Sequence, residues 1–362
     1  MGICDRVGIH CTGCATLPRL SNAEGRLYLF FSRELSLAKV QVAFPEAVAH
    51  DPRALSLAVP PEGLAPLLTR LGAQLTRNER ADVKVLFKEG LSQPGFADLG
   101  RVSPLDELVA RGQGDWLIGL MLADRMTSHF QPIVRAKSPS TIFAQEALLR
   151  GIDEAGMAVP PGRMFDAARE AGLLVQLDQR ARDTAVRSAA QGGLAQPLFM
   201  NLNPAAITEP ASCLQATLRQ IDAAGLKRER IVFEIVETDR ARSPRDLELL
   251  REYCRDEGVR IALDDFGAGY SSVTLLHRLR PEFVKLDRDL VSGIQEDRYK
   301  AAIVDRLLEL CRSLGILTVA EGVETDAEHR WFVDHGADLA QGFLFAKPAP
   351  LTATPLPVIA TV

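Results

Sequence analysis

The stretch VRIALDDFGAGYSS, residues 259–272, reads as a strand, a turn and the start of a helix. Val259 and Ile261 to Leu263 are the apolar residues of a short buried strand, and two adjacent carboxylates, Asp264 and Asp265, stand at its exit. Gly267 and Gly269 let the backbone turn sharply behind them, and SSVTLLHRL resumes at helical spacing. Like charges side by side at a strand end repel each other and resist desolvation; a divalent cation relieves both costs.

The same rhythm extends in both directions. Upstream lie the strand-like segments HFQPIV (129–134), IFAQEAL (142–148), LFMNLN (198–203) and IVFEIVE (231–237); downstream lie FVKLD (283–287), LTVAEG (317–322) and LAQGFLF (339–345). Helical stretches such as SPRDLELLREYCRDEG and KAAIVDRLLELCRSLG separate them. Eight strands alternating with helices predict an α/β fold of the (β/α)8 TIM-like barrel type. A doubly wound open sheet is the alternative, but the chain has no G-x-G-x-x-G turn or P-loop to mark its phosphate site.

From the second strand to the eighth, each carries a polar residue near its C-terminal end: Glu146, Asn201, Glu234 with Glu237, Asp264 with Asp265, Lys285, Glu321 and Gln341. In a β/α barrel such positions converge on one rim, where barrel active sites sit. Taken singly, a strand glutamate is most often salt-bridged, and Asn201 serves equally as a turn former ahead of Pro204. Lys285, flanked by Val284 and Leu286, is harder to explain as surface, because a buried lysine is costly without a partner. Hard oxygen donors together suit Mg²⁺ or Mn²⁺ better than zinc.

QPIV from Gln131, EALLR at 146–150, NLN at 201–203, FEIVE at 233–237, DDFGAGYSS at 264–272, KLD at 285–287, AEGVE at 320–324 and QGFLFAKP at 341–348 together resemble the EAL family of cyclic-di-GMP phosphodiesterases. The resemblance spans roughly residues 125–350 and keeps its order throughout. It implies an EAL-type barrel that hydrolyses cyclic-di-GMP to linear pGpG; a receptor that binds the ligand without hydrolysing it is the alternative. It implies two Mg²⁺ or Mn²⁺ ions, held by Glu146, Asn201, Glu234, Asp264, Asp265 and Glu321, with Asp264 as the bridge. By the same resemblance Lys285 is base or water-positioning group with Gln341 beside it, Glu237 anchors the DDFG loop, and Gln131, Leu148, Arg150 and Asp287 contact substrate. A homodimer formed through the segment after Asp265 and its following helix is also implied. Departures are slight: Asn203 where serine is common, and Val236 and Thr238 around the fourth-strand pair.

The remainder is read from residues alone. A chain of 362 residues exceeds one core, and the expected division is a Cys-rich segment 1–20, a small α+β domain 21–100, a helical linker 101–127, the barrel 128–352 and a tail 353–362. In the N-terminal domain RLYLFF, LAKVQVAF, ALSLAV and ADVKVLF read as strands, and PPEGLAPLLTRLGAQL as a helix. This is a size used for regulation, and nothing in it supplies a catalytic set. Cys4, His10, Cys11 and Cys14 have the makings of a tetrahedral zinc site, while a single C-x-x-C is also found in a merely packed terminus. With 25% charged residues, 47% hydrophobic residues and a net charge of -5, the composition is that of a globular protein without the basic surface that tracks polymeric nucleic acid. No apolar run is long enough for a membrane span, and no signal peptide is evident, so a cytoplasmic location is expected.

Overall fold

The structure, a computed structural model, describes residues 20–90, 92–204, 210–236, 244–267 and 272–351. Glu237 and the cluster Cys4, His10, Cys11 and Cys14 lie outside the described residues. Two compact units are present among the described residues: one comprises Met126–Ile152 and those from Asp178 to Leu351, the other those from 20 to 125 with Asp153–Leu177.

The first unit is the barrel. Its strands are β1 (Met126–Arg135), β2 (Ser138–Ile152), β3 (Leu198–Asn201), β4 (Ile231–Val236), β5 (Arg260–Phe266), β6 (Phe283–Leu286), β7 (Leu317–Ala320) and β8 (Leu339–Ala340). They close in the order β1-β8-β7-β6-β5-β4-β3-β2 and back to β1. From β2 through β8 neighbours run parallel, but β1 is antiparallel to both of its neighbours. The first crossover helix that uniform alternation predicts is therefore missing. Only Ala136 and Lys137 separate β1 from β2, a connection long enough for a hairpin and far too short for a parallel crossover.

One inward residue from each strand fills the barrel: Ile133, Ala144, Phe199, Val232, Ala262, Phe283, Val319 and Leu339. The opposite strand faces, including Phe130, Met200, Phe233, Ile261, Val284 and Ala340, pack with helix residues such as Leu214, Leu250, Leu276, Val304 and Phe332. Burial of these apolar faces supplies the main driving force for the barrel.

In the N-terminal unit a five-stranded antiparallel sheet is built from Val48–Asp51, Ala54–Val59, Gly25–Phe30, Lys84–Glu89 and Ser103–Pro104, in that spatial order. LAKVQVAF, expected as a strand, lies in the helix Glu34–Ala43 and the residue after it. Its buried residues Ser36, Val40 and Phe44 recur every fourth position, whereas Val42, which a strand reading pairs with Val40, is 84% exposed. Helix Leu105–Gln113, within the segment read as a linker, contributes Leu105, Leu108 and Val109 to this unit's core.

Candidate active site

Side chains two apart along a strand share a face. Two positions beyond each inward core residue the chain carries a polar side chain: Ala144 is followed by Glu146, Phe199 by Asn201, Val232 by Glu234 and Ala262 by Asp264. Phe283 is followed by Lys285, Val319 by Glu321 and Leu339 by Gln341, while on the reversed β1 Ile133 is matched by Gln131. The barrel is thus capped by a polar layer directly above its apolar one. Glu146, expected at the end of its strand, belongs to the middle of the long strand β2; its carboxylate still reaches the polar layer, with Oε2 3.5 Å from Lys285 Nζ.

Asp264 and Asp265 pose a separate problem, because consecutive strand residues point to opposite faces. Between the pairs Leu263–Val284 and Phe266–Leu286 β5 advances three residues and β6 only two, so the two aspartates occupy a bulge. Asp265 takes up the extra residue in a left-handed conformation, φ 53°. Donor oxygens of Asp264, Asp265 and Glu321 consequently lie within 4.8 Å of one another. Gly267 completes the turn at φ 105°, where an added Cβ lies 2.3 Å from Leu290 Cδ1.

Lys285 stands at the centre. Its Nζ is 2.6 Å from Glu234 Oε1, 2.6 Å from Glu321 Oε1, 3.0 Å from Asp264 Oδ1 and 3.5 Å from Glu146 Oε2. Lys285 is 1% exposed and Glu234 0%. Burial opposes the lysine's charge, but Asp264, Glu146, Glu234 and Glu321 outweigh it and hold the ammonium well above its usual range. Four carboxylates around one ammonium leave an excess of negative charge. Burial, with repulsion from Glu146 and Asp264, pushes Glu234 well above the ordinary carboxylate range, and burial with the same two repulsions raises Glu321. Asp265, half-buried beside Asp264, is raised to about 6. Oε1 of Glu234 is taken up by the ammonium, whereas its buried Oε2 has no hydrogen-bond partner among the described residues.

Gln341 Nε2 donates to Glu146 Oε2 at 2.6 Å and approaches Gln131 Oε1 at 3.3 Å; Gln131 Nε2 donates to the Ala346 carbonyl at 3.1 Å. Asn201 is paired with Glu234 across β3 and β4. The loop after it is held by a buried network in which Arg182 pairs with Asp178, and Asp178 Oδ1 accepts the Asn203 backbone N–H at 3.1 Å. Nothing in the sequence reading singled out Asp178 or Arg182; their signal was two opposite charges four apart on a helix face that otherwise buries apolar residues. Above the polar layer a pocket of about 230 Å³ is lined by Gln131, Glu146, Asp265, Asp287, Glu321 and Gln341, among others. Leu148 is half-buried two residues beyond Glu146 on β2. Arg150, expected at the substrate, is not among the pocket's lining; its Nη1 donates to the Leu149 carbonyl at 2.8 Å.

The fold is thus a closed eight-stranded β/α barrel with one antiparallel strand, and it carries a carboxylate–lysine cup at the C-terminal rim, where the active sites of such barrels lie. Residues 116–348 match the EAL domain family, and the chain belongs to that family. It is 31% identical over 230 residues to the bifunctional diguanylate cyclase/cyclic di-GMP phosphodiesterase MucR of Pseudomonas aeruginosa, covering 62% of this chain and 33% of MucR. It is 29% identical over 228 residues to the probable cyclic di-GMP phosphodiesterase PdeN of Escherichia coli, covering 61% of this chain and 43% of PdeN. The chain therefore spans less than half the length of these curated relatives. A standalone EAL protein from Vibrio cholerae, solved with c-di-GMP bound, superposes with a TM-score of 0.58 at 32% identity, covering 64% of this chain and 95% of that one. No helix of the described residues is long and apolar enough to cross a membrane.

Proposed function

We propose that this protein hydrolyses cyclic-di-GMP to linear pGpG with Mg²⁺ or Mn²⁺, in the cytoplasm and under control of its N-terminal unit. The observation that carries the reading is the cup of Glu146, Glu234, Asp264 and Glu321 around the single ammonium of Lys285. Its excess carboxylate charge, its hard-oxygen donors and the unpartnered Oε2 of Glu234 fit divalent cations. Glu146, Asn201, Glu234 and Asp264 would hold one ion, and Asp264, Asp265 and Glu321 a second. Such a pair, when bound, acidifies water and neutralises charge on the phosphoryl group.

The chain's own residues account for the remaining requirements. Hydrolysis joins a water oxygen to phosphorus and breaks one P–O3′ bond, leaving a 5′-phosphate and a free 3′-hydroxyl. Lys285, held protonated by its carboxylates, has no capacity to take a proton in the protein alone, and its role there is to orient water through N–H donation. A role as base requires those carboxylates to be neutralised, as bound cations do. Gln341 fixes Glu146 by a hydrogen bond, and Gln131 ties that pair to the strap at Ala346. Leu148 and Asp287 then contact substrate, and Arg150 does so once its guanidinium leaves the Leu149 carbonyl. Glu237, which lies outside the described residues, is assigned the anchoring of the DDFG loop by the family resemblance alone.

A homodimer through helix Ser272–Leu279 belongs to the same reading. Support comes from an apolar groove of about 470 Å³ beside that helix, lined by exposed Val273, Leu310 and Leu314. Incubating the full-length protein with cyclic-di-GMP and either ion, then resolving nucleotides by chromatography, tests the proposal. It predicts pGpG; tight binding of intact cyclic-di-GMP without pGpG would replace the enzyme with a receptor.

A further inference from the structure

The pocket above the polar layer has a charge problem. Its lining includes the carboxylates of Glu146, Asp265, Asp287, Glu321 and Glu324, and only one cationic side chain among the described residues, Arg288. A cyclic dinucleotide brings two phosphodiester anions. The scissile one belongs at the carboxylate cup, where bound cations offset its charge. The other meets an acidic rim, and without a cation there it is repelled.

Arg288 is placed to supply that cation. It follows Asp287, the N-cap of the short helix Arg288–Val291, and so lies three residues beyond Lys285 at the exit of β6. Its stem rests against Gly322, which has φ 66°; a Cβ added there lies 2.6 Å from Arg288 Cγ and 3.0 Å from Arg288 Cβ. Any side chain at 322 displaces the arginine. The guanidinium Nη2 is 2.8 Å from Glu324 Oε1, with the two side chains 62% and 42% exposed. A pair this open to water is weak and readily exchanged. A guanidinium offers a phosphate diester two parallel N–H donors, which a single carboxylate partner in solvent does not outweigh.

We propose that Arg288 is a specificity-determining contact for the non-scissile phosphodiester of the substrate, held ready over Gly322 by Glu324 and exchanging that carboxylate for the phosphate on binding. The inference rests on the cyclic-di-GMP reading above and adds to it a residue outside the strand-end ring. Arg288 touches the ligand's far phosphate and takes no part in bond breaking, so its effect falls on affinity.

The test compares full-length wild type, R288A, R288K and E324Q in steady-state hydrolysis and in calorimetric binding of cyclic-di-GMP, with circular dichroism and thermal melts to establish folding. R288A should raise KM and Kd about tenfold, the low end for a charge-assisted hydrogen bond at an exposed rim. R288K should recover part of that loss, and E324Q, by removing a competitor, should lower KM about twofold. The dependence of kcat/KM on added KCl should be shallower in R288A, because one attraction open to screening is gone. A folded R288A with KM and Kd within twofold of wild type, or R288K no better than R288A, overturns the proposal. If wild type binds the ligand but forms no pGpG, the hydrolysis reading fails and the Kd comparison alone decides the role of Arg288. If wild type does not bind it, both readings fall.

Discussion

Replacing Lys285 with methionine keeps an unbranched side chain of similar length and removes the one cation in the cup. The ammonium lies 2.6, 2.6, 3.0 and 3.5 Å from four carboxylates, and both it and Glu234 are buried. Removing one partner of a buried ion pair costs about 3–5 kcal/mol, and here one removal strands four anions, so the upper end, about 5 kcal/mol, is expected in EDTA at neutral pH. The loss has a pH signature. Glu234 and Glu321 already have pKa values raised in the folded protein, by burial and by Glu146 and Asp264, against the attraction of Lys285. A carboxyl raised on folding binds more protons folded than unfolded, so its stabilisation is present below the unfolded value near 4.5 and is lost as pH rises through the folded value. Asp265, raised from 3.8 to about 6, adds to the fall between those values. Its offset of about two units corresponds to at most about 3 kcal/mol, and solvent screening of a half-buried group reduces that to about 1 kcal/mol. Metal-free wild type should therefore lose stability as pH rises above about 4.5. Lys285→Met should lose more over the same range, and saturating Mg²⁺ should flatten both curves. Urea unfolding followed by tryptophan fluorescence, in EDTA and in Mg²⁺ at several pH values, measures this. Equal stability of variant and wild type in EDTA at neutral pH, or a deficit independent of pH, would refute the electrostatic account of the cup.

Two further outcomes follow from neighbouring parts of the structure. Arg182→Met leaves Asp178 buried without its charge partner and should cost about 3–5 kcal/mol in urea unfolding; a loss under about 1 kcal/mol contradicts the reading of that pair as a buried brace for the Asn203 loop. Asp264→Asn should lower kcat by about a thousandfold, as loss of a group at the developing charge does. Glu237→Gln, acting through loop position, should lower it only about tenfold; similar losses in initial-rate assays count against a bridging role for Asp264.

The barrel was legible in the alternation of strand-like and helix-like segments, and its candidate site in the polar residues, from Glu146 to Gln341, that seven of the eight strands carry. Its irregularities were less so. The hairpin of β1 and β2 is encoded by the two-residue gap at Ala136 and Lys137, which an alternating strand–helix rhythm passes over. Asp264 and Asp265 stood out as adjacent carboxylates, but a strand of regular pleat sends them to opposite faces; the bulge that unites them depends on pairing with β6, whose paired residues lie 20 or 21 positions on in sequence and are invisible locally. LAKVQVAF alternates like a strand and folds as a helix because tertiary packing selects Val40 and Phe44 and leaves Val42 in solvent. Arg288, to which we assign the far phosphate, lies one residue past the KLD segment and so outside the pattern of strand-end residues. Its signal was a basic residue immediately after KLD, in a rim otherwise supplied with acids.

The central claim is that the carboxylate cup is a divalent-cation site, and equilibrium binding of Mn²⁺ to the full-length protein tests it most directly. The account predicts two ions bound per wild-type chain, and loss of both in Asp264→Asn, whose carboxylate is assigned to each. Absence of stoichiometric Mn²⁺ binding to folded wild type, or two ions bound by Asp264→Asn at wild-type affinity, would contradict it.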